Sequence, residues 1–366
     1  MAVLVASSTC RDIIQQCAYC YAKRELARCI MMHSCDKCSK RLYCSKECQA
    51  ADWAAGHEHW CGTAGELNHD YEIRPSMGRG LGVFALRSFE RNDRIMVERP
   101  VVLGSCAKSI AHTCNKTNTD IENSFKASMK QAVWDLTPSE VVPGARNDLS
   151  GVPGATDSQL QESMFEEKVA SNSMEMGGAM GVCIVMSRVN HSCVGNAANW
   201  FLGAHSVKVL SASKSISIGE EITMSYTKIR SYEERQSRLL LSFRFKCSCP
   251  GCTDPVLRKA LDEDYEMDES LPALVSQRNT VPEAIVVLKQ LLKRRQELGL
   301  IAQCYPVCMQ LFSLLVRQQA TVEEGKRYAA QGAELREAAI GVCDDESRRM
   351  RQYADDPSRH CFYLRA

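Results

Sequence analysis

The sequence has almost no net charge and no long apolar run. Its 366 residues carry 45 basic and 44 acidic side chains, a formal net charge of +1, so bulk electrostatics do not favour a nucleic acid as the main ligand. No apolar stretch reaches the ~18 residues of a membrane span. The segment from Met1 to Cys10 lacks the basic start and the apolar length of a signal peptide. We therefore expect a soluble protein of the cytoplasm, the nucleus or both, without a membrane partner.

Cysteine, by contrast, is abundant and unevenly placed. The chain has 20 cysteines, of which nine lie between Cys10 and Cys61 and three between Cys247 and Cys252. In a reducing compartment, cysteines that cluster with short spacers are more often metal ligands than disulfide partners. The two clusters therefore predict metal sites, and unliganded buried thiols are the alternative interpretation.

Four pairs of metal-ligating residues follow one another at the N-terminal cluster. They are Cys17-x2-Cys20, Cys35-x2-Cys38, Cys44-x3-Cys48 and His57-x3-Cys61. Eight ligands divide into two tetrahedral sites with no open position, as in structural zinc sites. Because so short a segment has few aliphatic residues to bury, we expect the metal to supply its folding energy.

This run, CAYC…CDKC…YCSKECQAADWAAGHEHWC, resembles a MYND zinc finger. The resemblance implies cross-brace pairing of the ligands. Zinc 1 would be bound by Cys17, Cys20, Cys44 and Cys48. Zinc 2 would be bound by Cys35, Cys38, His57 and Cys61. The spacer before Cys35 is long and offers Cys29 and His33 as substitute ligands. Since MYND fingers are mostly protein-interaction modules, the resemblance also implies a bound protein partner.

The region from Tyr71 to Leu103 alternates short runs of Val, Ile and Phe with Gly, Asn-Asp and Pro. This pattern predicts a succession of β-strands. The Gly78-x-Gly80-x-Gly82 run within it says little by itself, because a glycine-rich turn explains it equally well. A phosphate-binding loop is disfavoured, since no helix follows at once.

Three later motifs give the glycine run a context. GRGLGVFA is followed by NHSC, GEEITMSY and CSCPGC, in segments that begin at positions 78, 190, 219 and 247. The ordered set resembles a SET-domain methyltransferase, and with the finger it resembles the SET-MYND group. The resemblance implies an α+β fold with a β-rich SET domain, a small zinc-bound MYND finger and an α-helical C-terminal region.

The activity that the resemblance implies is protein-lysine N-methylation. The enzyme would transfer methyl from S-adenosylmethionine to a lysine of a histone or another protein, and three zinc ions would be structural. A methyl transfer of this kind is an in-line displacement that needs a neutral amine, alignment and a dry path. The alternative is a catalytically silent SET-fold scaffold that recruits protein partners through the finger.

The resemblance also implies roles for single residues. Tyr226 would be catalytic, with its hydroxyl orienting the lysine amine, and a core tyrosine that ends a strand is the alternative, which the motif context disfavours. Phe243 would line the substrate channel with it. The implied cofactor contacts are Arg79, Gly80, Leu81, Asn172, Asn190, His191 and Phe245. The implied ligands of zinc 3 are Cys193, Cys247, Cys249 and Cys252, with a buried apolar thiol as the alternative for Cys193.

Two positions depart from the family pattern. Gly195 stands where proline is common, so we expect a looser loop. Phe243 stands where tyrosine is common, which leaves the number of transferred methyl groups open. In addition, the glycine-rich strand follows the finger here, whereas it precedes the finger in the best-known SET-MYND proteins.

The patterns divide the chain into five parts. We predict an N-terminal extension (1–16), the finger (17–61), a SET domain (70–230) with a variable insert at about 104–180, a post-SET zinc segment (240–255) and a helical C-terminal domain (270–366).

Within the last third, residues 262–270 are acidic and indicate a linker. Apolar periodicity predicts helices over 282–300, 302–319, 321–343 and 346–354. We expect Lys293, Arg294 and Arg295 on a solvated face. The remaining thiols of this part, Cys304, Cys308, Cys343 and Cys361, are predicted to lie in the core.

Overall fold

The computed structural model describes residues 17–20, 32–54, 57–59, 61–62, 70–105, 127–136 and 156–365. The predicted N-terminal extension, Cys29 and most of the predicted variable insert lie outside these residues. Among the described helices, none combines the length and the apolar character that crossing a membrane requires.

The finger segment contains a short ribbon and one helix. Strands β1 (His33–Ser34) and β2 (Leu42–Tyr43) pair in antiparallel fashion, and helix α1 (Lys46–Ala54) follows. Asp52 of α1 is buried, accepts a 2.7 Å hydrogen bond from the Tyr43 hydroxyl and pairs with Arg41 at 3.0 Å. These polar contacts hold the helix against the ribbon. They matter here because the segment has little apolar surface to bury.

Ten strands of the described residues build three small sheets after the finger. They are β3 (Tyr71–Ser76), β4 (Gly80–Ala85), β5 (Arg94–Glu98), β6 (Val102–Gly104), β7 (Ser173–Met176), β8 (Ala179–Val182), β9 (Asn190–His191), β10 (Ala197–Leu202), β11 (Val207–Ala212) and β12 (Glu221–Met224). The sheet orders are β3-β4-β12-β9, β10-β11-β5 and β6-β8-β7. The β12–β9 pair is parallel, and the other pairs are antiparallel.

A smaller buried cluster lies on the β10-β11-β5 sheet around Trp200 and Val209, and a larger one lies under strands of all three sheets. Val83, Ile95, Met96 and Ile222 are fully buried in it, as their apolar positions on the strands predict. Helices α2 (Ala127–Trp134) and α3 (Asp157–Asn172) precede β7. The chain therefore forms the β-rich α+β region that the motifs predict.

The last third of the chain is helical. Its helices are α4 (Tyr232–Phe243), α5 (Pro250–Thr253), α6 (Pro255–Ser276), α7 (Val281–Glu297), α8 (Ile301–Leu315), α9 (Val322–Ile340) and α10 (Asp345–Asp355). The four helices predicted from periodicity correspond to α7–α10, with ends that differ by a few residues. Leu288, Leu291, Leu311 and Ala333 belong to a separate buried core between them.

The predicted acidic linker is wrong, because residues 262–270 lie inside α6. Asp264 of α6 is 0% exposed and pairs with Arg295 of α7 at 3.1 Å. Arg295 is 5% exposed, so its predicted place on a solvated face is also wrong. The acidic composition of residues 262–270 indicated a solvated segment. In the structure, Asp264 of this segment is buried against α7.

The predicted core positions of the C-terminal thiols are half correct. Cys304 and Cys308 are fully buried on α8. Cys343 and Cys361 are exposed. Both exposed thiols follow a helix end, since Cys343 lies after the Gly341 cap of α9 and Cys361 lies beyond α10.

Candidate active site and metal sites

The structure gathers the finger ligands into two sets of four. One set is Cys17, Cys20, Cys44 and Cys48, and the other is Cys35, Cys38, His57 and Cys61, and the ligand atoms of each set lie within 4.8 Å of one another. These are the sets that cross-brace pairing implies. His33 is exposed on β1 and belongs to neither set.

A third set joins distant parts of the chain. It consists of Cys193, Cys247, Cys249 and Cys252, which we call the third metal site. The Cys193 and Cys252 sulfurs are 3.6 Å apart, and the Cys193 amide donates to Cys249 Sγ at 3.3 Å. All three sets offer four sulfur or nitrogen donors, which fits tetrahedral zinc with no position left for water. The three sets among the described residues, two of four cysteines and one of three cysteines and a histidine, therefore fit structural zinc ions.

The glycine-rich turn lies beside the NHSC segment. Gly80 has a φ of 74°, a left-handed conformation that favours glycine, and begins β4. Arg79, next to it, pairs with Glu221 at 2.8 Å. Asn190 donates from Nδ2 to the Leu81 carbonyl at 3.2 Å and to Glu221 Oε1 at 2.7 Å. The implied cofactor residues of both motifs thus meet at one carboxylate.

Glu221 is a residue that the sequence interpretation did not single out. Its side chain is 13% exposed, compared with 47% for Arg79. The signal that could have found it is the second acidic residue of the GEE motif, which opens β12. Because β12 pairs with β4 on one side and with β9 on the other, a carboxylate at its start reaches both motifs.

Asn196 is a second residue that the sequence interpretation missed. It is buried, and its side-chain amide donates to Glu220 Oε1 and to the Glu221 carbonyl, both at 2.9 Å. Its Oδ1 accepts from the Thr223 amide at 2.8 Å. A fully bonded buried amide holds the loop after NHSC against β12.

The expectation that Gly195 loosens this loop is not what the structure shows. A Cβ at Gly195 would lie 2.7 Å from the Thr223 carbonyl oxygen and 2.8 Å from Met224 Cα. Two backbones therefore cross at this point with no room for a side chain. The glycine permits a close approach, and Asn196 fixes the loop next to it.

Tyr226 lies in a cluster of rings at the end of β12. Its ring centroid is 4.9 Å from that of Phe243, 5.2 Å from His191 and 6.5 Å from Phe245. Its hydroxyl donates to the Val189 carbonyl at 2.7 Å. Burial, with a smaller contribution from Glu221, raises the pKa of Tyr226 above its ordinary value, so the phenol is neutral near pH 7.

His191 is buried and uses both ring nitrogens inside the protein. Nδ1 accepts from the Tyr226 amide at 3.0 Å, and Nε2 is 3.4 Å from Cys193 Sγ. Burial lowers the pKa of His191 to about 4, so the ring is neutral. A cofactor contact from His191 would have to come from its backbone.

Asn172 lies at the end of α3, and its side chain donates to the Lys168 carbonyl at 2.8 Å. Its own carbonyl accepts from Ser187 Oγ at 3.4 Å, three residues before Asn190. The structure therefore ties Asn172 to the segment that leads into NHSC.

Comparison with known proteins assigns two domains. The MYND finger model matches residues 17–61, and the SET domain model matches residues 80–227. SET domain and MYND-type zinc finger protein 6 of Schizosaccharomyces pombe is 25% identical over 69% of this chain and 46% of that protein. Human histone-lysine N-methyltransferase SMYD3 is 26% identical over 64% of this chain and 50% of that protein.

A shorter but closer match is protein-lysine N-trimethyltransferase SMYD5 of Gallus gallus, which is 35% identical over 28% of this chain and 24% of that protein. The chain thus spans half or less of the length of these relatives. Among solved structures, Rubisco LSMT bound to AdoMet aligns over 84% of this chain and 91% of that chain, with 11% identity and a TM-score of 0.33. A TM-score at that level adds nothing to the assignment. The chain therefore carries a MYND finger followed by a SET domain, the domain combination of the SET-MYND proteins.

Proposed function

We propose that this protein is an S-adenosylmethionine-dependent protein-lysine N-methyltransferase. The observation that carries the proposal is the position of the Tyr226 hydroxyl. The Tyr226 ring packs against His191, and His191 directly follows Asn190. Asn190 and Arg79 both contact Glu221, so the hydroxyl lies next to the candidate cofactor site. The relatives named as histone-lysine and protein-lysine methyltransferases support the same reaction class. The substrate would be a protein with an accessible lysine, histone or not.

The residues around Glu221 fit the amino-acid end of the cofactor. Arg79 offers a positive charge for a carboxylate. Asn190 Nδ2 donates its hydrogen bonds to the Leu81 carbonyl and to Glu221. Its Oδ1 would accept a hydrogen bond from the ammonium group of the cofactor. When bound, S-adenosylmethionine supplies an electrophilic methyl group on its sulfonium. Phe245, 5.9 Å from His191 between ring centroids, would cover the adenine.

Tyr226 would act on the lysine amine as an oriented dipole and not as a base. Its hydroxyl proton is directed to the Val189 carbonyl, so the oxygen lone pairs remain free to accept from the amine. Its raised pKa keeps the phenol neutral. Phe243 and Phe245 exclude water from the path, which strengthens these electrostatic contacts.

The finger would recruit a protein partner, and the eleven cysteines of the three metal sets must stay reduced to bind zinc. This requirement supports the cytoplasm, the nucleus or both as the compartment.

The test is transfer of labelled methyl from S-adenosylmethionine to core histones and to whole-cell lysate. Tyr226→Phe should lower the transfer by about 100-fold or more while cofactor binding is kept. Tyr353→Phe is the matched control, because Tyr353 stacks on Phe312 in the C-terminal helices. If zinc-loaded parent protein neither labels a substrate nor binds the cofactor, the scaffold interpretation replaces the enzyme.

A further inference from the structure

His191 lies between the third metal site and the backbone of Tyr226. Its side chain is buried, with Nδ1 3.0 Å from the Tyr226 amide nitrogen and Nε2 3.4 Å from the Cys193 sulfur. One imidazole therefore touches a metal ligand on one side and the candidate catalytic residue on the other.

The hydrogen bonds assign the tautomer. A backbone N–H can only donate, so Nδ1 carries a lone pair and the proton of the neutral ring is on Nε2. That proton faces Cys193 Sγ, which as a zinc ligand is a thiolate and accepts. Metal at the third site therefore fixes the ring in the orientation that holds the Tyr226 amide.

The same short segment holds Tyr226 at two points. The Val189 carbonyl accepts from its hydroxyl, and His191 accepts from its amide. Two residues further on, Cys193 lies with Cys247, Cys249 and Cys252 in the third metal site. Because Val189, His191 and Cys193 lie within five consecutive residues, a displacement of Cys193 would disturb both contacts of Tyr226.

We propose that His191 is a positioning residue that links the third zinc to Tyr226. The metal-bound Cys193 thiolate orients the imidazole, and the imidazole holds the backbone from which the Tyr226 side chain extends. The catalytic half of this inference rests on the proposed methyltransferase function, whereas the metal half does not. Partners of this kind, one shell beyond a metal ligand, typically contribute 10–100-fold to metal affinity or activity.

Two substitutions separate the two contacts. His191→Asn places an amide oxygen near the position of Nδ1 and removes the donor to Cys193. His191→Gln places an amide nitrogen near the position of Nε2 and removes the acceptor for Tyr226. His360→Asn is the control, because His360 contacts Ser313 in the C-terminal helices, and Cys252→Ser identifies which zinc belongs to the third site.

The experiment follows zinc release from the full-length, zinc-loaded chain to a chromogenic chelator. We expect His191→Asn to release the third zinc about 10–100-fold more readily than the parent, with the two finger zincs unchanged. We expect His191→Gln to release zinc like the parent but to lower labelled methyl transfer about 10-fold or more.

Release of the third zinc from His191→Asn at the parental rate would overturn the link to the metal. Parental methyl transfer by His191→Gln would overturn the link to Tyr226. If the parent itself transfers no methyl, the proposed function fails, but the release rates still decide whether His191 supports the third metal site.

Discussion

Glu221 is the carboxylate on which two motifs of the candidate cofactor site converge, and its removal should weaken cofactor binding. The hydrogen bond from Asn190 to this largely buried carboxylate contributes about 1.5–3 kcal/mol. The ion pair with Arg79 contributes only about 0.2–1 kcal/mol, because Arg79 is 47% exposed. Glu221→Ala loses both contacts, and we expect it to lower the free energy of unfolding by about 2–4 kcal/mol.

Glu221→Gln separates the two contacts. Glutamine keeps an acceptor for Asn190 but loses the charge that pairs with Arg79, so the expected cost is at most about 1 kcal/mol. Without Glu221, the ligand must order both Arg79 and Asn190 on binding, at about 0.5–1.5 kcal/mol for each side chain. Glu221→Ala should therefore raise the Kd for S-adenosylhomocysteine about 10–100-fold.

The assay is calorimetric titration of parent, Glu221→Gln and Glu221→Ala with S-adenosylhomocysteine, alongside urea unfolding. Glu90→Ala is the control, because Glu90 is an exposed carboxylate that bonds Ser215 instead. Binding by Glu221→Ala that equals or exceeds parental binding would refute the reasoning, since Glu221 would then only compete with the ligand for Arg79.

Three further outcomes test the packing and the metal sites. Asp264→Asn leaves the buried Arg295 with only the partly exposed Asp268, 2.9 Å away, as its counter-charge and should cost about 1–3 kcal/mol, and an unchanged urea midpoint would show that the buried pair is not essential. Gly195→Ala places a methyl group 2.7 Å from the Thr223 carbonyl oxygen and should cost about 1–3 kcal/mol. The matched Gly203→Ala meets its nearest atom at 3.8 Å and should stay within about 0.5 kcal/mol of the parent; equal costs would contradict the close-approach argument. Excess chelator should unfold the finger, with the circular dichroism signal restored by zinc, and a finger that keeps its structure without metal would contradict the folding role of zinc.

The metal sets and the helices were the most predictable parts of the molecule. Metal ligands such as Cys44 and Cys48 are recognisable because their spacing is local, and the family resemblance supplied the pairing of distant ligands. The last four helices were predictable because the 3.6-residue period is also a local property. Asp264 was misinterpreted, since its partner Arg295 lies on another helix and no local pattern links the two.

The contacts around the candidate active site were less predictable because they depend on strand pairing. Glu221 reaches Asn190 only because β12 lies parallel to β9. Asn196 is satisfied by Glu220 and by backbone atoms of β12, all more than twenty residues away. Gly195 looked like a missing proline, and only the crossing of two backbones shows why a side chain is excluded there.

The third metal site also has a consequence for the unfolded chain. Its ligands Cys193 and Cys252 are 59 positions apart, so bound zinc closes a loop of that length as a disulfide would. By the chain-entropy relation for such a cross-link, closure removes about 4 kcal/mol of conformational freedom from the unfolded state. Tyr226 lies inside this loop. The candidate catalytic hydroxyl is therefore carried by a segment whose two ends bound zinc would hold together, so loss of the third zinc should destabilise the whole segment and not only the metal site.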